Sequence, residues 1–515
     1  MIWGRETLRL RCAAPVTIIH SAEHRETLPA GELEFRLVSS QAAKIQTWFW
    51  LGNAREGDLS AVLAQALEAG GWETGLWPVG MNPSAGDWSV RDYRLLARPR
   101  DDLMSLEELH TRLQEIQPEV EAQIVHLPEG QGRGTVSITF DPPLNKGGQG
   151  RISGSTLPPL NKGGQGGISL PLNIESPDKI TVPEAPVGEG FHWEHTETLE
   201  LPSGAWMALG ADGKLCAGAE IEVEEYLASV NSSEMPADSP LEFLKSQVVA
   251  ARSWLLANWG SHHPGEPYTI CNGDHCQCYY GPERIREASR RAVDQTAGQV
   301  LMHNRRICDA RYAKSCGGVT EPAGNVWAFA EEPYLGHFAD LPEASPPDLL
   351  DEAAFRRFQQ RNVPEDACCS PGYAPLSGRL KELSNLYRWQ EKTSVAQLTQ
   401  TIRSKTGVDL GTVKEFNPLK RGPSGRLIEL EISGADGSLR LSPELAIRRA
   451  LSPTHLPSSA FWVEQTGDEI NFHGLGWGHG VGLCQIGAAA LAVKGWDYRQ
   501  ILEHYYRGAE LVKVY

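Results

Sequence analysis

A nine-residue segment occurs twice near the middle of the chain, and it divides everything before it from everything after. Pro142-Pro143-Leu144-Asn145-Lys146-Gly147-Gly148-Gln149-Gly150 recurs as Pro158-Pro159-Leu160-Asn161-Lys162-Gly163-Gly164-Gln165-Gly166. Two copies cannot build a repeat fold, which needs at least about three stacked units. So much Gly and Pro cannot bury enough apolar surface to offset chain entropy. The stretch from 136 to 188 therefore reads as a flexible linker. In a chain of 515 residues this predicts two folded parts, 1–135 and 189–515.

The first part is expected to be a small α+β domain. Leu33-Glu34-Phe35-Arg36-Leu37-Val38 alternates as a strand does, whereas Leu59 to Ala69 and Ser105 to Ile116 show the three-and-four spacing of helices. No constellation of chemical groups stands in it, so binding of a substrate or partner is its expected role. In the second part, Ile221-Glu222-Val223-Glu224-Glu225-Tyr226 alternates like a strand. A helix follows, with Ser239 as N-cap, Pro240 at the first position and Glu242 completing a capping box. Its buried stripe is Leu241, Leu244, Val248, Ala251 and Leu255; Lys245 and Arg252 share another face, and the helix stops before Gly260. The expected class is α+β throughout, with a mixed, mostly antiparallel sheet around this helix.

Charge narrows the function classes. The formal net charge is −17, with no basic block, and this excludes the electrostatic footprint of a nucleic-acid binder. A neutral sugar polymer is compatible with it. No apolar run reaches the length of about eighteen residues that a membrane-spanning helix needs. The opening Met1-Ile2-Trp3-Gly4-Arg5-Glu6-Thr7 does not resemble a secretory signal, which taken literally places the protein in the cytoplasm.

Four segments could carry chemistry. Asn231-Ser232-Ser233-Glu234-Met235-Pro236 reads as a polar loop between strand and helix, where a carboxylate could serve as general acid or base. Proximity to a helix N-terminus and to Lys245 and Arg252 would hold that carboxyl ionised, unless burial against Met235 or a glycan outweighs them. Cys271, His275, Cys276 and Cys278 offer three thiols and an imidazole within eight residues, a ligand set for zinc. A disulfide from Cys271 to Cys276, or one reaching Cys308 or Cys316, is the alternative in an oxidising compartment. Lys314-Ser315-Cys316-Gly317-Gly318 allows a close backbone approach, and Cys368-Cys369 are adjacent. Between His473 and Ala488 stand six glycines, around His479 and Gln485, without the Lys-Ser/Thr ending of a phosphate loop.

The order of these segments closely resembles the stage II sporulation protein D / LytB family. The resemblance is carried by Glu225-Tyr226-Leu227, by Ser233-Glu234-Met235-Pro236 and by Leu244 to Ser253. It continues through Cys271 with His275-Cys276-Gln277-Cys278-Tyr279-Tyr280-Gly281, through Ser315-Cys316-Gly317-Gly318 and Gly478-His479-Gly480-Val481-Gly482, and ends on His504-Tyr505-Tyr506-Arg507-Gly508. It implies a peptidoglycan lytic transglycosylase, which cuts between N-acetylmuramic acid and N-acetylglucosamine and leaves a 1,6-anhydro end. Glu234 matches the family's catalytic glutamate. Lys245, Arg252, His479 and Gln485 match substrate-handling positions in a common glycan groove. The chemistry needs no cofactor, while a structural zinc at Cys271, His275, Cys276 and Cys278 is implied by some relatives. LytB-type members imply the alternative, a non-enzymatic enhancer of a cell-wall amidase. Either role requires export to the cell envelope, periplasmic or extracellular. Departures from the family pattern are Lys314-Ser315-Cys316 before Gly-Gly, Cys484 and Ile486 beside Gln485, and Arg507 in the closing motif.

Overall fold

The computed structural model describes residues 2–99, 123–141 and 168–515, together with Leu109, Thr111 and Leu113. Within those ranges it leaves out 6, 15, 22–23, 29, 42–43, 55–58, 70–71, 85–86, 130–132, 170, 189–193, 202–203, 265, 274–275, 328–331 and 362–365. The duplicated segment and most of the expected Ser105–Ile116 helix lie outside the described residues. The chain forms two compact units. The first comprises Met1–Met81, Val90–Glu234 and Asn258–Arg286; the second comprises Asn82–Ser89, Met235–Ala257 and Glu287–Tyr515.

Among the described residues three sheets build the first unit. One runs in the order Ile2–Arg5, Leu215–Gly218, Gly204–Leu209, Leu172–Glu175, Val16–Ser21, His24–Leu28. Another runs Ile168–Ser169, Arg133–Asp141, Gly31–Gln41, Thr7–Cys12, Ile180–Val187, His195–Leu201. Alternation along these strands buries Leu8, Leu10, Ile18, Leu33, Phe35, Ile174, Ile180 and Val182. The third sheet contains Lys44–Ala54 and carries helix α1 (Leu59–Ala69), whose Leu63 and Leu67 pack with Phe49 and Trp72.

This corrects the expected linker boundary. Residues 172–187 are strands that pair with the start of the chain, Asn173 opposite Ile19 and Ile180 opposite Cys12. The region before the duplicated segment is therefore not a separate domain. Its sheets need strands from both sides of that segment to bury one apolar face.

Helix α2 (Val223–Glu234) replaces the expected strand at Ile221–Tyr226. Val223, Tyr226, Leu227 and Val230 fall at helical spacing, and the last three are buried. Glu224 and Glu225 stand in the first turn, where they complement the helix dipole.

The second unit is organised on helix α3 (Leu241–Ala257), buried along nearly its whole length. It packs against α4 (Glu287–Gln295), strand Gln299–His303, α5 (Gln485–Val493) and α6 (Tyr498–Tyr505). The helix begins where the Pro240 signal puts it, but no capping box holds it. The Ser239 hydroxyl makes no hydrogen bond among the described residues, and the Glu242 carboxylate instead accepts from Lys245 Nζ and the Tyr498 amide. Beyond α3 the sheets are antiparallel, including Arg388–Ser394 with Glu469–Leu475 and Phe461–Thr466. Among the described residues the exception is the parallel pair Tyr312–Ala313 and Leu483–Cys484. The α+β class and the predominance of antiparallel pairing agree with the sequence.

Candidate active site and metal-ligand cluster

Glu234 closes helix α2 instead of sitting in a loop. The carboxylate is half-buried, and its Oε1 accepts from the Cys278 amide at 3.2 Å. It therefore lies at the negative end of its own helix, opposite in sign to the N-terminal setting that the sequence suggested. Four further contacts hold α2 to the cysteine-bearing segment and the residues just after it. Tyr226 stacks on Tyr279 at 5.5 Å and donates to Gln277 Oε1 at 3.1 Å; Ser229 Oγ donates to the Gly281 carbonyl at 2.6 Å; and the Arg286 amide donates to Ser232 Oγ at 3.0 Å. The buried polar residues of α2 thus position one carboxylate against one backbone amide.

The neighbouring thiols gather around a histidine that the sequence reading missed. His263 Nε2 lies 3.2 Å from Cys276 Sγ, and His263, Cys271 and Cys276 bring their ligand atoms within 4.8 Å of one another. Cys271 Sγ also accepts from the Gly273 amide at 3.2 Å. The bond to Cys271 and burial push the Cys276 thiol far up. Two buried thiols and an imidazole fit zinc, which takes tetrahedral N/S ligands. His275 lies outside the described residues. Cys278 is not one of the group: it is half-buried and turns its amide to Glu234. All ten cysteines stand as free thiols, so no disulfide joins Cys271 to Cys276, Cys308 or Cys316. The signal for His263 was weak, a His262-His263 pair eight residues before Cys271 with no local motif.

The other expected site residues belong to the second unit. Lys245 Nζ pairs with Glu242 Oε1 at 2.6 Å and lies 5.5 Å over the Tyr498 ring, with 13% of its side chain exposed. Arg252 is fully buried and donates from Nη1 to the Gln299 carbonyl at 3.0 Å. Gln485 is buried against Gln247, Nε2 to Oε1 at 3.4 Å. His479 Nδ1 accepts from the Val481 amide at 3.0 Å, and its ring meets Trp327 edge-on at 4.8 Å. Burial, then the charges of Arg311, Arg426 and Arg448, hold His479 well below the usual histidine range; the Tyr312 backbone bonds it in the opposite sense. His479 is thus neutral, with its proton on Nε2. Lys245 is the charged member of this set that is not fully buried. Arg252, His479 and Gln485 spend polar atoms on their own framework.

The glycine-rich segment around His479 lies on a buried guanidinium. Gly480 takes φ +73°, and a Cβ there would meet Arg426 Cζ at 2.3 Å. The Gly317 turn admits the expected close approach, since a Cβ there would meet Leu475 Cδ1 at 2.4 Å.

Comparison with known proteins agrees with these segments. Residues 211–303 match the family described as stage II sporulation protein, and residues 321–482 match a domain of unknown function, DUF8618. An uncharacterized protein of Brachyspira hyodysenteriae is 27% identical over 294 residues, covering 57% of this chain and 67% of that one. The amidase enhancer of Bacillus subtilis is 28% identical over 294 residues, 55% of this chain and 40% of the enhancer. Stage II sporulation protein D of Bacillus amyloliquefaciens is 25% identical over 305 residues, 56% of this chain and 74% of that protein. The chain thus spans two-fifths of the enhancer's length and about two-thirds to three-quarters of the other two. Residues 211–303 thus carry a stage II sporulation protein domain, and the relatives named stage II sporulation protein D and amidase enhancer support a place for the chain beside the stage II sporulation protein D / LytB family.

Proposed function

We propose that this protein acts on peptidoglycan in the cell envelope as a lytic transglycosylase, with Glu234 as its general acid and base. The observation that carries the reading is the fixed carboxylate: Glu234 ends α2, and Cys278 donates its amide to Oε1. Glu234 protonates the glycosidic oxygen as the bond to the N-acetylmuramic C1 breaks. The C6 hydroxyl of the same sugar attacks C1, and its proton returns to Glu234. The new C1–O6 bond replaces the old C1–O4 bond, and no water is consumed.

Lys245 is a proposed glycan contact, since it is the charged member of this set that is not fully buried. Arg252, His479 and Gln485 act through the framework that they hold. A zinc ion on His263, Cys271 and Cys276 would tie the segment that supplies the Cys278 amide. No helix among the described residues is long and apolar enough to cross a membrane, and the proposed setting is periplasmic or extracellular.

The test is mass spectrometry of glycan strands digested by wild type and by Glu234→Gln, on intact and amidase-treated peptidoglycan. Wild type should release 1,6-anhydromuramyl products, and the variant should fall by at least about a hundredfold, the worth of a general acid–base group. Relatives include a protein named amidase enhancer, which favours one specific alternative. If neither protein releases anhydro ends and both accelerate an added amidase, the protein is a modulator and the transglycosylase reading is refuted.

A further inference from the structure

A second group of metal-ligating atoms lies in the second unit, apart from His263, Cys271 and Cys276. Cys316, Cys369, Cys484 and Asp340 are each at most 1% exposed, and their ligand atoms all lie within 4.8 Å of one another. Cys316 Sγ is 3.7 Å from Cys369 Sγ and 3.2 Å from Asp340 Oδ2. Zinc bound to sulfur at about 2.3 Å puts tetrahedral ligands about 3.75 Å apart, so the observed sulfur pair has the length of a tetrahedron edge. A disulfide requires about 2.05 Å.

The surroundings suit deprotonated ligands. Cys484 Sγ accepts from the Cys316 amide at 3.2 Å, and Cys316 Sγ accepts from the Gly318 amide at 3.4 Å. Asp340 Oδ2 takes the Cys369 amide at 3.1 Å, while Oδ1 takes the Tyr505 hydroxyl at 2.6 Å. Ligating carboxylates characteristically have their remaining oxygen held in this way. His504 is 8% exposed, and its Nε2 makes no hydrogen bond among the described residues while lying 3.8 Å from Asp340 Oδ1. Arg426 Nη2 donates to the Cys316 carbonyl at 3.2 Å and brings a buried positive charge alongside. A carboxylate at 0% exposure among three thiols is costly to bury uncompensated, and a divalent cation removes that cost.

We propose that Cys316, Cys369, Cys484 and Asp340 form a structural zinc site. Binding displaces the three thiol protons and leaves four ligands around one ion, with no open position for substrate. The placement of the ligands gives the site its purpose. Cys316 and Cys484 flank the stretch 321–482 that matches the domain of unknown function, and Asp340 and Cys369 lie inside it. One ion would tie both ends of that stretch, 168 residues apart, to two points within it. Cys316 and Cys484 are among this chain's departures from the family pattern.

The test uses the full chain carrying Cys271→Ser and Cys276→Ser, purified under reducing conditions, with metal counted by plasma mass spectrometry. About one zinc per chain should remain, and adding Cys316→Ser with Cys484→Ser should remove it. A cobalt readout guards against misfolding of the quadruple variant. Cobalt(II) added to the folded double variant should give thiolate charge-transfer bands and tetrahedral ligand-field bands. A further Cys369→Ser should lower the charge-transfer intensity by about one third, one thiolate of three. Absence of both zinc and cobalt binding in the folded double variant would overturn the proposal. So would peptide mapping that recovers Cys316 linked to Cys369 as a disulfide in protein purified without reductant and unable to take up zinc after reduction.

Discussion

Replacing Arg252 separates a structural from a substrate-handling role for the second basic residue of α3. The side chain is fully buried, and its guanidinium donates to the Gln299 carbonyl at 3.0 Å. Arg252→Met keeps most of the stem and removes the donor, leaving a buried acceptor short of a bond at about 1–3 kcal/mol. Arg252→Ala also loses two buried methylenes at about 0.8 kcal/mol each, before any cavity left behind. The expected destabilisation is about 1–3 kcal/mol for Met and about 3–5 kcal/mol for Ala. Urea unfolding followed by tryptophan fluorescence and circular dichroism measures both, with a lowered midpoint and an unchanged slope as the mark of lost native stability. At temperatures where the Met variant stays folded, its KM for glycan strands should match wild type. A variant as stable as wild type but with KM raised severalfold would refute the reasoning and return Arg252 to direct contact with the glycan.

Lys245→Met should cost about 1–2 kcal/mol, because it loses both the Glu242 ion pair and the contact of the ammonium with the Tyr498 ring. Its KM should rise with little change in kcat, and an unchanged KM would remove Lys245 from the site. Gly480→Ala must place a side chain at φ +73° and against Arg426 Cζ, at a combined cost of about 2–5 kcal/mol; a thermal melt superimposable on wild type would contradict that packing. Burial raises the carboxyl of Glu391, so the folded state binds its proton more tightly than the unfolded chain does. That group costs nothing below the unfolded value and destabilises progressively as pH rises through the folded one. Glu391→Gln should therefore match wild type in acid and become more stable than wild type toward neutral pH, and equal shifts at both ends would rule this out.

Local periodicity made the regular elements legible: α1 at Leu59–Ala69, the strand around Leu33–Val38 and the apolar stripe of α3 all stand where their spacing put them. Two errors share a cause. Ile221–Tyr226 alternates over too few residues to outvote the helical spacing that Leu227 and Val230 complete. Leu172, Ile174, Ile180 and Val182 also alternate, but their strands pair on one side with residues before 30 and on the other with residues after 194, so Gly- and Pro-rich neighbours in sequence masked them. The chemistry divides similarly. Glu234 and two of the clustered cysteines were visible as motifs, while His263 entered only through folding. The Cys316, Cys369, Cys484 and Asp340 group is assembled across as many as 168 residues, a separation at which spacing carries no information.

The shared sheets of the first unit change what it means to shorten this protein. Residues 2–12 are hydrogen-bonded to strands beyond residue 179 in both of its six-stranded sheets, Ile2 to Ala217 and Thr181 to Arg11. A protease nick between 142 and 167 would break one covalent bond and leave those ladders intact, so both fragments should co-purify and separate only in denaturant. Deleting everything before the nick would instead strip Ile180–Val187 and Leu172–Glu175 of one neighbour each and expose fresh, aggregation-prone edges. The smallest soluble piece carrying Glu234 is thus two polypeptides or the whole chain, never the second half by itself.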